Sequence, residues 1–341
     1  MEGDILMEGE IVVSIITVTL NIVNNGRREY LKRCVESVLG QSYPHIEYII
    51  QDGGSRDRTL ELLSGYEGLH VFSEPDGSID EAYNNALRHA HGRYVMFLNS
   101  DDYLHDDEVV AECVGFMEKH EADYLYGKAD IIDEKRQVAG TFEPRMENFW
   151  RDMPYSHQAF LIRRDVLEKE GNYDVTYGIG GDYDLAIRLV LRDYRGLFFD
   201  RKISCYRLGG ISSQVKDRWR HQKTLCILAS IMLKFYRQFY KDMDLEDCLD
   251  IYHFGERTAA VYPRHFLQKL INFMVGLDLK NFDYNKFIDY VNTLSGMDVA
   301  GRMKKKRIYL FNCIPIWKIT CTPSKKKYWL FGFIPVFKVT F

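Results

Sequence analysis

The chain has 341 residues, a formal net charge of −4, and 46% hydrophobic and 28% charged residues. These values suit a globular protein and exclude a disordered or fibrous chain and a globally basic nucleic-acid binder. The small total conceals an asymmetry. Ten Lys or Arg and no Asp or Glu occur from Arg302 onward, which leaves 35 basic against 49 acidic residues, a net −14, in the positions before it.

Seven cysteines occur, an odd number with no CxxC pair. That argues against a zinc ribbon or a secreted disulfide framework and for a reducing cytoplasm. Residues 1–10 carry four acids and no basic residue, so they lack the basic start of a signal peptide. The longest apolar runs, such as 225–233, end after about ten residues, and a membrane span needs ~20. No integral membrane protein is expected.

Residues 11–19 (IVVSIITVT) are β-branched almost throughout, as a strand buried on both faces requires. Residues 28–40 place Leu31, Cys34, Val35, Val38 and Leu39 on one helical face, with Gly40 at the C-terminal end. A strand over 46–50 runs into Gln51-Asp52-Gly53-Gly54-Ser55, and a helix over 57–65 takes Ser55 as its N-cap. A strand over 69–73, a helix over 79–90 and a strand over 94–98 follow, the last ending in Asn99-Ser100-Asp101-Asp102. This β-α-β-α-β-α-β alternation predicts an α/β protein with a mostly parallel sheet, in which ligands bind outside the carboxyl ends of the strands. The polar clusters 17–21, 52–55, 74–78 and 99–102 all fall at such ends.

There is no GxGxxG after the first strand and no GxxxxGK[ST], so a Rossmann dinucleotide site and a P-loop lack support. Asp101 and Asp102 offer another way to neutralise phosphates. Two carboxylates at a strand end can hold Mg²⁺ or Mn²⁺, which in turn holds a pyrophosphate. Alone, the pair reads better as a solvated turn, since adjacent Asp residues after a strand are common. Asp52 at a neighbouring strand end favours the site.

The segments VSIITVTLN (13–21), QDGGSRDRT (51–59), SEPDGSIDEAYNNAL (73–87), GRYVMFLNSDD (92–102) and GGDYDLAIRL (180–189) resemble family 2 glycosyltransferases of the GT-A (nucleotide-diphospho-sugar transferase) fold, of the bacterial polysaccharide-biosynthesis type. The resemblance spans about residues 11–213. It implies inverting transfer of a sugar from a nucleotide donor, with a divalent metal. On it, Asp52 matches the acid at the nucleotide base, with Gly53 in place of a frequent second acid. Asn99-Ser100-Asp101-Asp102 matches the metal and diphosphate cluster, with Asn99 where an Asp is usual. Thr17, Asn21, Asp76, Asn99 and Asp101 match donor-site positions, Asp101 and Asp102 the metal ligands, and Asp182 the catalytic base.

Strands are expected over 123–127, 138–142 and 157–163, forming the acceptor half. His157 reads as structural, and Arg188 as either a solvated helix residue or an ion-pair partner. Gly209-Gly210-Ile211-Ser212 resembles the loop that closes this family's catalytic domain. The expected organisation is a catalytic domain over 11–213, with a nucleotide half (11–102) and an acceptor half (103–213). A helical appendage over 214–300 and a basic aromatic tail over 301–341 follow. In the appendage, helices are expected over 219–240, 247–254, 263–277 and 285–294. The tail holds two copies of one pattern, KKRIYLFNCIPIWKIT (305–320) and KKKYWLFGFIPVFKVT (325–340), each expected as a β-hairpin. Basic clusters beside aromatic residues suit an anionic membrane surface, which predicts a cytoplasmic protein held peripherally at the inner face of the membrane; the competing reading is a β-meander packed on the body with its lysines solvated.

The expected partners are a nucleotide-sugar donor and a saccharide or lipid-linked saccharide acceptor, with no nucleic acid. Two other readings are weaker. A nucleotidyltransferase of related fold needs a Gly-rich basic loop after the first strand, and residues 20–26 hold one Gly and no Lys or Arg. A non-catalytic sugar-nucleotide binder or membrane scaffold has no use for Asp182.

Overall fold

The computed structural model describes residues 13–133, 135–209, 218–252, 264–295, 306–310, 314–322, 325–330 and 334–340. The chain divides into two compact units. The first holds residues 1–252 with 277–282, and the second holds 253–276 with 283–341.

The first unit opens with β1 (Val13–Thr19), α1 (Arg28–Leu39), β2 (Ile46–Asp52), α2 (Thr59–Leu63), β3 (Leu69–Ser73), α3 (Ile79–Leu87) and β4 (Tyr94–Phe97). It continues with β5 (Tyr103–Leu104), α4 (Val109–His120), β6 (Tyr124–Ile132), β7 (Val138–Phe142), β8 (Phe160–Arg163), α5 (Arg164–Lys169), α6 (Gly181–Leu191) and β9 (Gly196–Arg207). Helices α7 (Arg218–Tyr236) and α8 (Leu245–Tyr252) close it. The strand order is β3-β2-β1-β4-β8-β6-β9-β5, with β7 beside β6. The parallel order expected from the first hundred residues is found in β3-β2-β1-β4. Beyond it the sheet is mixed: β8 runs antiparallel to both β4 and β6, while β9 is parallel to β6.

Strand alternation sorts the core into two layers. Val13 and Ile15 of β1 join Leu31, Cys34 and Val35 of α1 and Val110, Cys113 and Met117 of α4 in one cluster. Ile16 and Phe97 join Tyr83 and Ala86 of α3 and Leu185 and Leu189 of α6 in the other. Helix α6 therefore covers the same sheet face as α3, although a hundred residues separate them. That packing brings the first turn of α6 to the first turn of α3.

Several local expectations change. Ser55 does not cap α2, which begins at Thr59 after Arg58. Asp57 serves instead, accepting from the Thr59 N–H at 2.9 Å. Residues 157–159 form a single 3₁₀ turn, and β8 starts only at Phe160. Ser78 does cap α3, accepting from Glu81 N at 3.1 Å, while the Glu81 carboxylate accepts from Gly77 N at 2.7 Å. Helices α7 and α8 belong to the first unit. Lys234 of α7 reaches Asp184 of α6 at 3.1 Å, and the Tyr236 hydroxyl donates to the Trp150 carbonyl.

The second unit contains α9 (Arg264–Leu277), all but its last residue, and α10 (Tyr284–Ser295). It also contains a four-stranded antiparallel sheet of β10 (Lys306–Leu310), β11 (Ile314–Thr322), β12 (Lys325–Leu330) and β13 (Ile334–Thr340), in that order. The two expected hairpins are thus one meander, joined by the β11–β12 pairing. The twenty-residue repeat carries the register. Tyr309 faces Pro315 as Trp329 faces Pro335, with a bulge between Ile308 and Tyr309 repeated between Tyr328 and Trp329. A proline, which has no N–H to give a ladder, is tolerated at such a bulge. The acidic residues 1–10 and the loop from Gly210 to Ser212 lie outside the described residues.

Candidate active site

The ends of β1 and β2 form one polar frame. Thr19 is paired in register with Asp52 and donates to it at 3.1 Å. Asp52 is fully buried and also accepts from the N–H groups of Gly54 (3.1 Å) and Ser55 (2.8 Å) and from the hydroxyls of Ser55 (2.5 Å) and Ser73 (2.8 Å). Both of its oxygens are engaged within the protein. Asp52 thereby fixes the loop 53–55 through these bonds. Thr17 lies two residues earlier on β1 than Thr19. It is wholly buried, with its hydroxyl 3.1 Å from that of Tyr48, because it shares a strand face with the α1 side of the core. Asn21 adopts a left-handed backbone (φ 48°), accepts from Arg56 N at 2.9 Å and has its own N–H on the Ser55 hydroxyl at 2.7 Å. It therefore stitches the β1 loop to the β2 loop.

Gly53 faces Asp76. A Cβ at position 53 would come within 2.4 Å of Asp76 Oδ2. The space of the missing second acid is thus filled from the next loop. Burial, with the charges of Glu81, Asp52 and Glu74, raises the Asp76 carboxyl above its usual range.

The acidic cluster lies at the end of β4. Asp102 is 1% exposed, and its Oδ1 accepts from the backbone N–H of Arg207 at 2.8 Å. Its Oδ2 accepts from Asn99 Nδ2 at 3.3 Å. The Asn99 side-chain oxygen in turn accepts from the Tyr83 hydroxyl at 2.6 Å. An aspartate at 99 would add a third carboxylate here, and the amide supplies a donor instead. Burial and the neighbouring Asp101 charge raise Asp102 well above the usual carboxylate range. Asp101 meets two guanidinium groups, Arg207 at 2.7 Å and Arg27 at 3.8 Å. Arg207 lies against Tyr30, 4.4 Å from its ring centre. Sequence reasoning missed Arg207. A terminal strand arginine carries no signal until β9 is paired to β6 and β5.

Asp182 opens α6. It is partly exposed and accepts from Tyr183 N at 2.8 Å. Burial pushes it up to about 6 against the opposing backbone N–H bonds. The fully buried phenol of Tyr83 senses the charges of Asp182, Asp80, Asp102 and Asp101, and it is raised well above the usual tyrosine range by burial and then by those charges. Tyr83 of α3 thus bonds Asn99 of the β4 cluster, and Asp80, one turn earlier on the same helix, lies against Gly181 beside Asp182. His157 is buried, lies 2.7 Å from the Tyr173 hydroxyl, and is pushed down to about 4 by burial, as a neutral core histidine would be. Arg188 is an ion-pair partner, 2.7 Å from Asp184, and it also donates to the carbonyls of Glu170 and Asn172.

The parallel β-α frame with acids at its strand ends is matched by the family model for glycosyl transferase family 2 over residues 14–171, a span that ends before Asp182. An uncharacterized glycosyltransferase of Mycobacterium tuberculosis is 33% identical over 185 residues, which cover 52% of this chain and 69% of that protein. The chain belongs to glycosyl transferase family 2. A PGL/p-HBAD biosynthesis glycosyltransferase of Mycobacterium bovis is 28% identical over 218 residues, 60% of this chain and 80% of that protein. In fold, this family 2 chain is similar to S. aureus TarS 1–349 solved with UDP, with a TM-score of 0.52 at 17% identity, covering 87% and 94% of the two chains.

The fold family implies a divalent metal, and the donor set suits one. Asp101 and Asp102 are adjacent, shielded carboxyl groups of the oxygen-donor type that Mg²⁺ and Mn²⁺ prefer, although Asp101 is paired with Arg207 and Arg27 here. Among the described residues no group of three or more His, Cys, Asp or Glu stands ready to hold an ion alone. Mg²⁺ and Mn²⁺ sites of phosphate-transferring proteins commonly use one or two carboxylates and share the ion with substrate phosphates. Among the described residues no helix is long and apolar enough to cross a membrane.

Proposed function

We propose that this family 2 glycosyltransferase catalyses inverting transfer of a sugar from a nucleotide-sugar donor to a hydroxyl of a saccharide or lipid-linked saccharide in cell-surface glycan synthesis. The observation that carries the proposal is the placement of two sets of acids beside α3: the Asp101–Asp102 pair, tied to Tyr83 through Asn99, and Asp182, whose neighbour Gly181 packs on Asp80. It pairs a diphosphate-side acid cluster with a single carboxylate suited to proton removal. The name of the M. bovis relative supports the glycan setting.

The donor's nucleoside lies on the frame of Asn21, loop 53–55 and Asp76. Asn99 fixes Asp102, and Asp101 and Asp102 would hold a divalent metal. When bound, the metal supplies charge stabilisation to the departing diphosphate. Arg207 and Arg27 present cations to the same phosphates. The acceptor oxygen attacks the anomeric carbon in line, and its proton passes to Asp182. A carboxylate near 6 is largely ionised at neutral pH yet basic enough to take that proton.

The meander at the chain's basic end is the proposed contact with an anionic membrane surface, peripheral and electrostatic in kind. Thermal-shift screening of UDP-, GDP- and dTDP-sugars, with and without Mn²⁺, tests the donor reading, since a ligand of the native state raises the melting temperature. No metal-dependent shift with any of them would overturn it.

A further inference from the structure

Asp80 has no place in the mechanism above. It sits in the first turn of α3, it is 2% exposed, and its Oδ2 has no hydrogen-bond partner. It lies against Gly181, the residue before Asp182. A Cβ on Gly181 would come within 2.3 Å of Asp80 Oδ2, so only glycine allows the two helix starts to meet this closely. An ionised carboxylate with one oxygen buried and unpartnered is expensive, and such a group keeps its proton instead.

The surrounding charges push the same way. The Asp182, Asp174 and Asp184 carboxylates face Asp80 from α6 and the segment before it, and only the Gly181 N–H opposes them. Lys234 of α7 pairs with Asp174 and Asp184, and Arg188 with Asp184, so neither cation is directed at Asp80. The phenols of Tyr83 and Tyr173 lie nearby and are themselves raised by burial.

We propose that Asp80 is a positioning residue of the reaction centre: a carboxyl that keeps its proton beside Asp182, so that the site carries one negative charge at the base and not two. The proposal rests on Asp182 being the base. Burial, then the Asp182 charge, pushes Asp80 up to about 8. Above that value a second carboxylate appears beside Asp182, which repels the base from its place in the first turn of α6, and turnover falls.

The first test needs no substrate. In the unfolded chain an aspartate titrates near ~3.9. Between about 4 and 8 the folded protein therefore holds a proton that the unfolded chain has lost, and stability drains away as pH rises through that window. The melting temperature of Asp80→Asn minus that of the wild type should increase from pH 5 to pH 8.5. A difference independent of pH overturns the proposal. The second test follows nucleoside diphosphate release, using whichever of UDP-glucose, UDP-N-acetylglucosamine, GDP-mannose or dTDP-rhamnose supports turnover. Wild-type kcat should fall about tenfold between pH 7 and pH 9, as one group titrating near 8 requires. Asp80→Asn should change less than about twofold over the same range, whatever its turnover at pH 7. A variant that keeps the wild-type fall assigns it to another group and overturns the proposal. Full turnover by Asp182→Asn would remove the base while leaving the melting result intact, so the two failures are distinguishable.

Discussion

Arg207 closes on Asp101 across the sheet, with Nη2 2.7 Å from Oδ2, and both side chains are about nine-tenths buried. The guanidinium stands where a metal bound to Asp101 would need room. Arginine and metal should therefore compete for one carboxylate. Arg207→Ala should lower the melting temperature without metal, because breaking a shielded pair leaves a charge uncompensated. Mn²⁺ should then raise the melting temperature of the variant by more than that of the wild type. Equal shifts in the two proteins would mean that the ion does not bind through Asp101.

Asp102 offers the complementary test. Asp102→Ala removes one of the two carboxylates proposed to hold the metal, and the remaining one should bind a cation shared with phosphates too weakly to matter at working concentrations. Calorimetry should show donor affinity that EDTA no longer changes, against a clear loss with EDTA in the wild type. A wild type indifferent to EDTA would remove the metal from the mechanism.

For Asp182, donor affinity and turnover should separate. Asp182→Asn should bind donor nearly as the wild type does, while turnover falls by ~10²–10⁴. The sign of the pH dependence follows from its raised value of about 6. Below that pH the base is protonated, so kcat should decline about tenfold per unit of further acidification. An acid limb retained in any residual activity of Asp182→Asn would assign it to another group.

Glu47 lies at the opposite edge of the sheet, next to the start of β1. It accepts from the Ser14 hydroxyl at 2.6 Å and from His91 N at 2.9 Å, and it lies 2.7 Å from His91 Nδ1. Burial alone would raise its carboxyl, but the Ser14 and His91 bonds outweigh that and lower it. Its contribution to stability is thus complete above the usual glutamate value of ~4.3 and is lost as pH falls through its lower folded value. Glu47→Gln should cost about 1–3 kcal/mol at pH 7. The cost should shrink on acidification, with donor affinity unchanged. A cost independent of pH would mean that the carboxylate's charge contributes nothing.

The first hundred residues were legible because β1, β2 and β4 are buried on both faces and the helices between them show one apolar side. What the sequence hid is long-range. Asp80 reads as an ordinary first-turn acid, and its burial comes from α6 packing on α3. Strand β9 was missed because Asp200, Arg201 and Lys202 interrupt its apolar pattern. All three make ion pairs, Asp200 with Lys128, Arg201 with Asp106 and Lys202 with Asp130. Ser55 has the residue type of an N-cap, yet its hydroxyl lies between Asp52 and the Asn21 N–H. Local pattern proposes a partner for such a side chain, and the loop geometry decides which one it takes.

The basic end of the chain separates electrostatic attachment from none. Residues before Arg302 carry a net −14, so an anionic bilayer should repel them, and any attraction has to come from the ten Lys and Arg of the meander segment. Each contributes about 1 kcal/mol near such a surface, and half of them engaged would suffice to hold the protein there. The intact protein should sediment with vesicles containing anionic lipid at low salt and be released as salt shortens the Debye length. A chain ending at Ala300 should still show the nucleotide-dependent thermal shift and should stay in the supernatant. Replacing Lys325, Lys326 and Lys327 together by Glu should weaken sedimentation in the full-length protein without removing any strand. A full-length protein that stays in the supernatant at low salt would rule out the membrane contact, and a charge-reversed variant that sediments as the wild type does would rule out its electrostatic origin.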